Sequence, residues 1–201
     1  ERERRDTRGR HERVEGWLAS LDMVGEVRPL TAADVDRAVQ LLGRTSQFNL
    51  TTRRHDRGHI AARIGDPTCL DLCLRLRDRF GGHGLVGLIL ASDQEGALVV
   101  DTLLMSCRVI GRTAERFFVG ALVDAARQRG LGAIVGSYRE TARNGLTAGL
   151  WPSLGFGAIA PDDDGALRWA LDPQTAAPQS RFIRAASTTH APPETTPPTL
   201  E

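Results

Sequence analysis

The stretch "ALVVDTLLMSCRVIGRTAERFFVGAL", residues 97 to 122, decides how the chain is read. Apart from Asp101 and Thr102 it is apolar through Met105, as expected of a strand buried on both faces. A short loop follows. From Thr113 onward Phe118, Ala121, Leu122 and Ala125 recur at helical spacing, and Gly130 closes the helix as C-cap. A strand that runs into a helix through such a loop is a natural anion site, because the first helical turn has unpaired N–H groups and a partial positive charge. Gly111 lets the backbone approach a phosphate, and Arg108 and Arg112 add charge and donors. Ordinary helix capping accounts for the same residues, so the surroundings must choose.

Upstream, "VGEVRPL" (24–30) reads as a strand, and Thr31 caps a helix with Val35, Val39 and Leu42 on one face. "DRGHIAARIGDP" (56–67) is a second, short helix. "LDLCLRLR" (70–77) alternates, with its leucines inward and Asp71, Cys73, Arg75 and Arg77 outward. "GGHG" (81–84) turns it into "LVGLILAS" (85–92). Downstream, "AIVGSYRE" (133–140) is a buried strand, "TARNGLTAGLWPSLGF" (141–156) a helix, and "FGAIA" with "ALRWAL" a closing hairpin. Helical spacing would put Asn144 and Trp151 on one face, two turns apart.

Residues 1–23 are a charged linker or helix in which Trp17, Leu18 and Leu21 form an apolar stripe. Residues 173–201 hold six of the ten prolines, and that composition predicts a disordered tail. The working domain is then 24–172. A net charge of +1 gives no field for nucleic acid, and Arg supplies all 26 Lys/Arg charges, which suits forked recognition of phosphate or merely reflects a GC-rich genome. Three cysteines make no disulfide framework, and no metal-ligand pattern is present; reduced thiols and a cytoplasmic location are expected. No apolar run reaches the ~18 residues of a membrane span.

With its context the loop resembles that of the GNAT acetyltransferase superfamily, whose Arg/Gln-x-x-Gly-x-Gly/Ala turn cradles the coenzyme A diphosphate. "ARNGLTAGLWPSLGFGAI" resembles that superfamily's Asn-containing helix and aromatic-x-x-Leu-Gly-Phe ending. The resemblance implies an α/β GNAT fold, a mixed sheet of about seven strands with about four helices. It implies coenzyme A, acyl-CoA or the phosphopantetheine of a carrier protein as cofactor. Leu104, Ser106, Arg108, Val109, Ile110, Gly111, Arg112, Thr113 and Asn144 would hold it. The strands 97–106 and 133–140 would splay to admit the pantetheine arm, and an N–H near Leu104 to Ser106 would polarise the thioester carbonyl. Thr113 stands where the superfamily has Gly or Ala, and Trp151 where many members carry a proton-returning Tyr. An indole N–H donates hydrogen bonds but does not act as an acid near neutral pH.

"RTSQFNLTTRR" (44–54), "DRFGGHGLVGLIL", "VDTLLMSCRVIGR" and "WPSLGF" together resemble the C-terminal GNAT-type domain of FkbH-like proteins. That resemblance implies acyl, including glyceryl, transfer to an acyl carrier protein in polyketide-type secondary metabolism, with a HAD-type phosphatase domain as companion. No Asp-x-Asp is read near an N-terminal strand, as the HAD nucleophile motif would have it. A non-catalytic docking module and a small-molecule N-acetyltransferase are the alternatives.

Gln47, Phe48, Asn49, Thr51 and Thr52 are the expected substrate wall, where hydroxyls would meet a hydroxylated acyl group; helix caps and turn bonds explain them equally. Candidate catalytic residues are Asp101, Cys107, Asn144 and Trp151. Asp101 is a general base or the partner of an Arg, and Cys107 an acyl-accepting thiolate or an inert buried thiol. His55, His59 and His83 read as surface residues.

Overall fold

The computed structural model describes residues 2–175 and 177–186. The charged start forms helix α1 (Arg2–Ser20), whose Leu18 enters the core together with the following Leu21, while Trp17 stays half exposed. After it come β1 (Met23–Pro29), a 3₁₀ turn at Ala32–Asp34, α2 (Val35–Arg44) and α3 (Arg57–Arg63). The buried Asp34 carboxylate accepts from the Thr31 amide and hydroxyl and from Arg28 and Arg75, which fixes the entry into α2. Strands β2 (Leu72–Asp78), β3 (Gly81–Gln94) and β4 (Ala97–Met105) then form an antiparallel meander.

From β4 the chain passes through a 3₁₀ turn, Cys107–Val109, into α4 (Ala114–Gln128) and β5 (Ala133–Tyr138). A four-residue helix α5 (Leu150–Ser153) and the hairpin β6 (Gly157–Ile159) and β7 (Leu167–Leu171) follow. Among the described residues eight strands make one sheet, in the order β6-β7-β5-β4-β3-β2-β1-β8, where β8 is Ile183–Ala185. Two apolar layers cover it. Residues of α2 and α3 pack one face through Leu41, Leu42 and Ile60, and α4, α5 and their neighbours pack the other through Phe118, Leu122 and Trp151.

Several expectations are corrected. Cys73 is wholly buried beneath α2, so the strand it occupies is covered on both faces. The turn lies at Arg79 and Phe80, and the Gly-rich residues 81–84 open β3. His83 lies against the buried Asp78 at 2.8 Å and Arg112 joins them at 2.6 Å, so this histidine is part of an ion cluster and not solvated. The predicted helix over 141–156 breaks into a 3₁₀ turn, Gly145–Thr147, and the short α5, as expected where Gly145, Gly149 and Pro152 interrupt helical bonding. Asn144 and Trp151 therefore share no helical face.

The tail is also more ordered than its composition predicts. Ile183–Ala185 pairs in parallel with β1, and Arg184 and Arg181 bond Asp22 and Glu15. Residues 187–201 of the expected tail lie outside the described residues.

Trp151 is a core residue that donates from its indole to the Ser137 carbonyl at 3.0 Å. It lies so close on β5 that a Cβ at Gly136 would come within 2.3 Å of the indole. Gly136→Ala is expected to destabilise the fold by roughly 1–3 kcal/mol through overpacking, read as a lower urea midpoint with unchanged m.

Candidate functional site

Strands β4 and β5 pair in parallel only from Ala97↔Ala133 to Val100↔Gly136, and then diverge. The opening expected for a pantetheine arm is thus formed. It is filled by the chain itself. Residues 48–50 run into it as an irregular segment with one isolated bridge: Leu50 N donates to Leu103 O (3.1 Å), Met105 N to Phe48 O (2.9 Å), and Arg139 N just past β5 to Leu50 O (2.9 Å). Asn49 and Leu104 form the bridge between them. Phe48 and Leu50 join the apolar layer on the α4 side, which gives the insert a buried anchor.

Asn144 locks it. Its Nδ2 donates to Asn49 O (3.0 Å) and Arg139 O (2.9 Å), and its Oδ1 accepts from Thr141 N (2.8 Å), all with the side chain fully buried. The segment keeps one buried donor, Asn49 Nδ2, without a partner among the described residues. Thr51 donates to Asp101 O, and Thr52 takes a left-handed φ of 53° to turn the chain out of the sheet. Gln47 is exposed. The polar stretch that sequence spacing offered as a substrate wall is therefore a plug.

The cofactor residues divide accordingly. The Met105 and Ser106 amides are bonded to Phe48 and Val86, and Leu104 is buried, so no amide from Leu104 to Ser106 is aimed at a thioester carbonyl. In the loop, Gly111 takes φ 76°, as a close-approach turn requires, and Arg108 is exposed without a partner among the described residues. Val109 is buried and Ile110 half-buried. Arg112 is drawn to Asp78, and Thr113, at the N-cap of α4, sits at φ 60° with no side-chain cap bond and its hydroxyl 2.7 Å from Ser180. Glu115, on the first turn, adds a half-buried carboxyl whose pKa burial pushes up, against the hydrogen bond to its own amide. The Val109, Ile110 and Arg112 amides, expected to face a phosphate, are bonded within the loop to the Ser106, Cys107 and Val109 carbonyls, and the residues present do not fit a pantetheine arm between β4 and β5.

A second set of residues gathers over the opposite face of β4. Asp101 meets His55 Nε2 at 2.9 Å, accepts from Thr102 Oγ1 at 3.0 Å, and pairs with Arg53. Burial would raise the Asp101 pKa, but the His55 hydrogen bond, with Arg53 and Thr102, brings it down to about 2. A carboxylate that acidic is a poor general base. It instead holds an Nε2–H tautomer of His55 in place, as an ionised partner does for an imidazole. His55, expected at the surface, is only 11% exposed in its side chain, and His59 stacks on it at 4.5 Å between ring centroids. The clue in the sequence is the run Arg53-Arg54-His55 directly after the plug, with His59 one helical turn on. Cys107 is exposed, and its thiol has no hydrogen-bond partner among the described residues. These residues form no metal site: among the described residues no three His, Cys, Asp or Glu side chains are grouped to hold an ion, and no helix is long and apolar enough to cross a membrane.

No protein-family model matches the chain, and no curated protein sequence matches it. Solved structures do. The ribosomal-protein-S18-alanine N-acetyltransferase from Escherichia coli superposes with a TM-score of 0.57 at 18% identity, over 76% of this chain and 96% of that one. The PaiA N-acetyltransferase from Thermoplasma acidophilum, solved with coenzyme A, gives 0.53 at 12%, over 74% and 98%. A GNAT superfamily phosphinothricin acetyltransferase from Sinorhizobium meliloti, solved with acetyl-CoA, gives 0.57 at 14%, over 74% and 88%.

The Asp101 cluster makes the fold pH-dependent with a defined sign. Its folded pKa, about 2, lies below the ordinary 3.8. The cluster therefore stabilises the fold above that ordinary value, by about 2 kcal/mol, and the contribution fades as pH falls toward the folded one. Urea titrations across that range are expected to show a shallower acid limb for Asp101→Asn than for the unaltered chain. Asn144→Ala, which strands the buried Asn49 carbonyl and two part-buried backbone groups at Arg139 and Thr141, is expected to cost about 3 kcal/mol and to speed amide exchange at Leu50 and Met105.

At such low identities the likeness is one of architecture, and by strand order, helix placement and the parting of β4 from β5 the chain has the GNAT acetyltransferase fold.

Proposed function

We propose that this domain serves acyl transfer by docking a macromolecular acyl carrier, and not by holding free coenzyme A between β4 and β5. The observation that carries this reading is the insertion of residues 48–50 into the β4–β5 opening, where the chain's own backbone satisfies Leu103 O, Met105 N and Arg139 N. The fold supports an acyl-handling role, since structural neighbours were solved with coenzyme A or acetyl-CoA. The FkbH-like motifs supply the context: an acyl carrier protein as partner, a HAD-type phosphatase domain as companion, and glyceryl-type acyl groups of polyketide-type secondary metabolism.

Beside the plug lies a cavity of about 280 Å³ whose rim carries Arg37, Arg44, Arg108 and the exposed Cys107. Three arginines around one opening suit the phosphate of a carrier's phosphopantetheine arm. A second reading, acyl transfer from free acyl-CoA, is favoured by the left-handed Gly111 and the unpartnered Arg108 in the loop before α4.

Calorimetry with acetyl-CoA, coenzyme A and a holo acyl carrier protein separates the two. The docking reading expects heat with the carrier and none with either free cofactor. Saturable acetyl-CoA binding that Arg108→Ala and Gly111→Asp each weaken on the order of tenfold or more would establish the second reading instead. Acetylation of an amine acceptor would mark a small-molecule N-acetyltransferase.

A further inference from the structure

The cavity over the α2–α3 face of the sheet, about 420 Å³, falls in the size range of small-molecule sites. Its floor includes Asp101 on β4, Ser137 on β5 and Arg168 on β7; its wall includes His59 and Arg63 of α3 and the loop from Thr51 to His55. Ser137 and Arg168 are cross-strand partners, so their side chains leave the same face of the sheet side by side. Neither of them lines the rim cavity beside the plug, so a ligand bound here is independent of carrier docking there.

The cations of this cavity are unequally satisfied. Arg63 forks onto Asp71 at 2.7 and 2.6 Å, and Arg139 reaches Asp164 O at 3.1 Å on the rim. Arg53 pairs with Asp101, whose charge His55 also engages. Arg168 is half-buried, and neither an ion pair nor a hydrogen bond reaches it among the described residues. The Ser137 hydroxyl beside it likewise has no partner among them, and neither do the ring nitrogens of His59. A guanidinium held partly out of water without a counter-charge is costly, and a cavity with low-dielectric walls focuses its field on whatever enters. Two carboxylates line the cavity, Asp101, engaged by His55, Thr102 and Arg53, and Asp162, which accepts from Ala166 N at 2.6 Å; against them stand Arg53, Arg63, Arg139 and Arg168, the Ser137 hydroxyl and the imidazoles, so cationic side chains outnumber anionic ones.

We propose that this cavity binds a small organic oxyanion, a carboxylate or phosphate group held by Arg168, the Ser137 hydroxyl and Arg53 beside the His55–Asp101 pair. The oxyanion completes the Arg168 fork with charge-assisted hydrogen bonds, and the imidazoles lie where the remainder of the ligand would sit.

The test titrates the full chain with sodium phosphate and, separately, sodium acetate at ionic strength held constant with sodium chloride, following calorimetric heat and the ring resonances of His55 and His59. Saturable binding of either anion with movement of those resonances is expected, and the tighter of the two names the head group. Arg168→Gln should weaken that binding on the order of tenfold, whereas Arg77→Gln, an exposed arginine on β2, should leave it unchanged. Ser137→Ala, which removes one donor and leaves the strand intact, should weaken it severalfold and carries the test if Arg168→Gln does not fold. The proposal is overturned if neither anion saturates above the chloride background, or if Arg168→Gln, or Ser137→Ala in its stead, binds as tightly as Arg77→Gln.

Discussion

One buried amide organises the centre of this molecule. The Asn144 side chain binds the carbonyls of Asn49 and Arg139 and the amide of Thr141, and so joins the inserted segment to the loop after β5 at the point where β4 and β5 part. Parallel strands that diverge leave unpaired backbone groups, and buried unpaired groups cost on the order of 1–3 kcal/mol each. Residues 48–50 answer that cost by bridging to β4 and to Arg139, and Asn144 supplies the bonds their irregular ends require. The loop after β5, the end of that strand and the closure of the opening all follow from this arrangement.

The consequence is a molecule with the GNAT fold in which the opening between β4 and β5 is occupied by its own backbone. Groups that would otherwise face an incoming arm are bonded within the chain, and the loop before α4 has lost Arg112 to Asp78 and the Thr113 hydroxyl to Ser180. A second group of charged residues lies on the other side of β4. There Asp101, held ionised, fixes His55 within a cavity rich in arginine. Asp101 was an identifiable oddity in an apolar strand, and both of its anticipated roles are informative: the geometry makes it the partner of an arginine, and its acidity argues against a base.

Strands and long helices were legible in the sequence because their periods report burial directly. The meander, α2, α4 and the closing hairpin stand close to where alternation and helical spacing put them. Failures share a cause. A helix over 141–156 was expected from apolar spacing, but Gly145, Gly149 and Pro152 weigh more than spacing where tertiary bonds to Asn144 are on offer. The tail composition hid a strand because three residues, Ile183–Ala185, are enough to pair with an edge that β1 already provides.

The sequence by itself determined the architecture and the position of the loop between β4 and α4, since hydrophobic period, turn residues and capping act over neighbours in the chain. It could not say what "QFNLTT" does, because Phe48, Asn49 and Leu50 acquire their meaning from Leu103, Met105, Arg139 and Asn144, which are distant in sequence. Nor could it assemble the basic cavity, whose residues come from α3, from the loop before it and from β4, β5 and β7. Hydrogen-bond satisfaction between remote backbone groups is a property of the folded arrangement, and only the tertiary structure decided whether the opening stood free or filled.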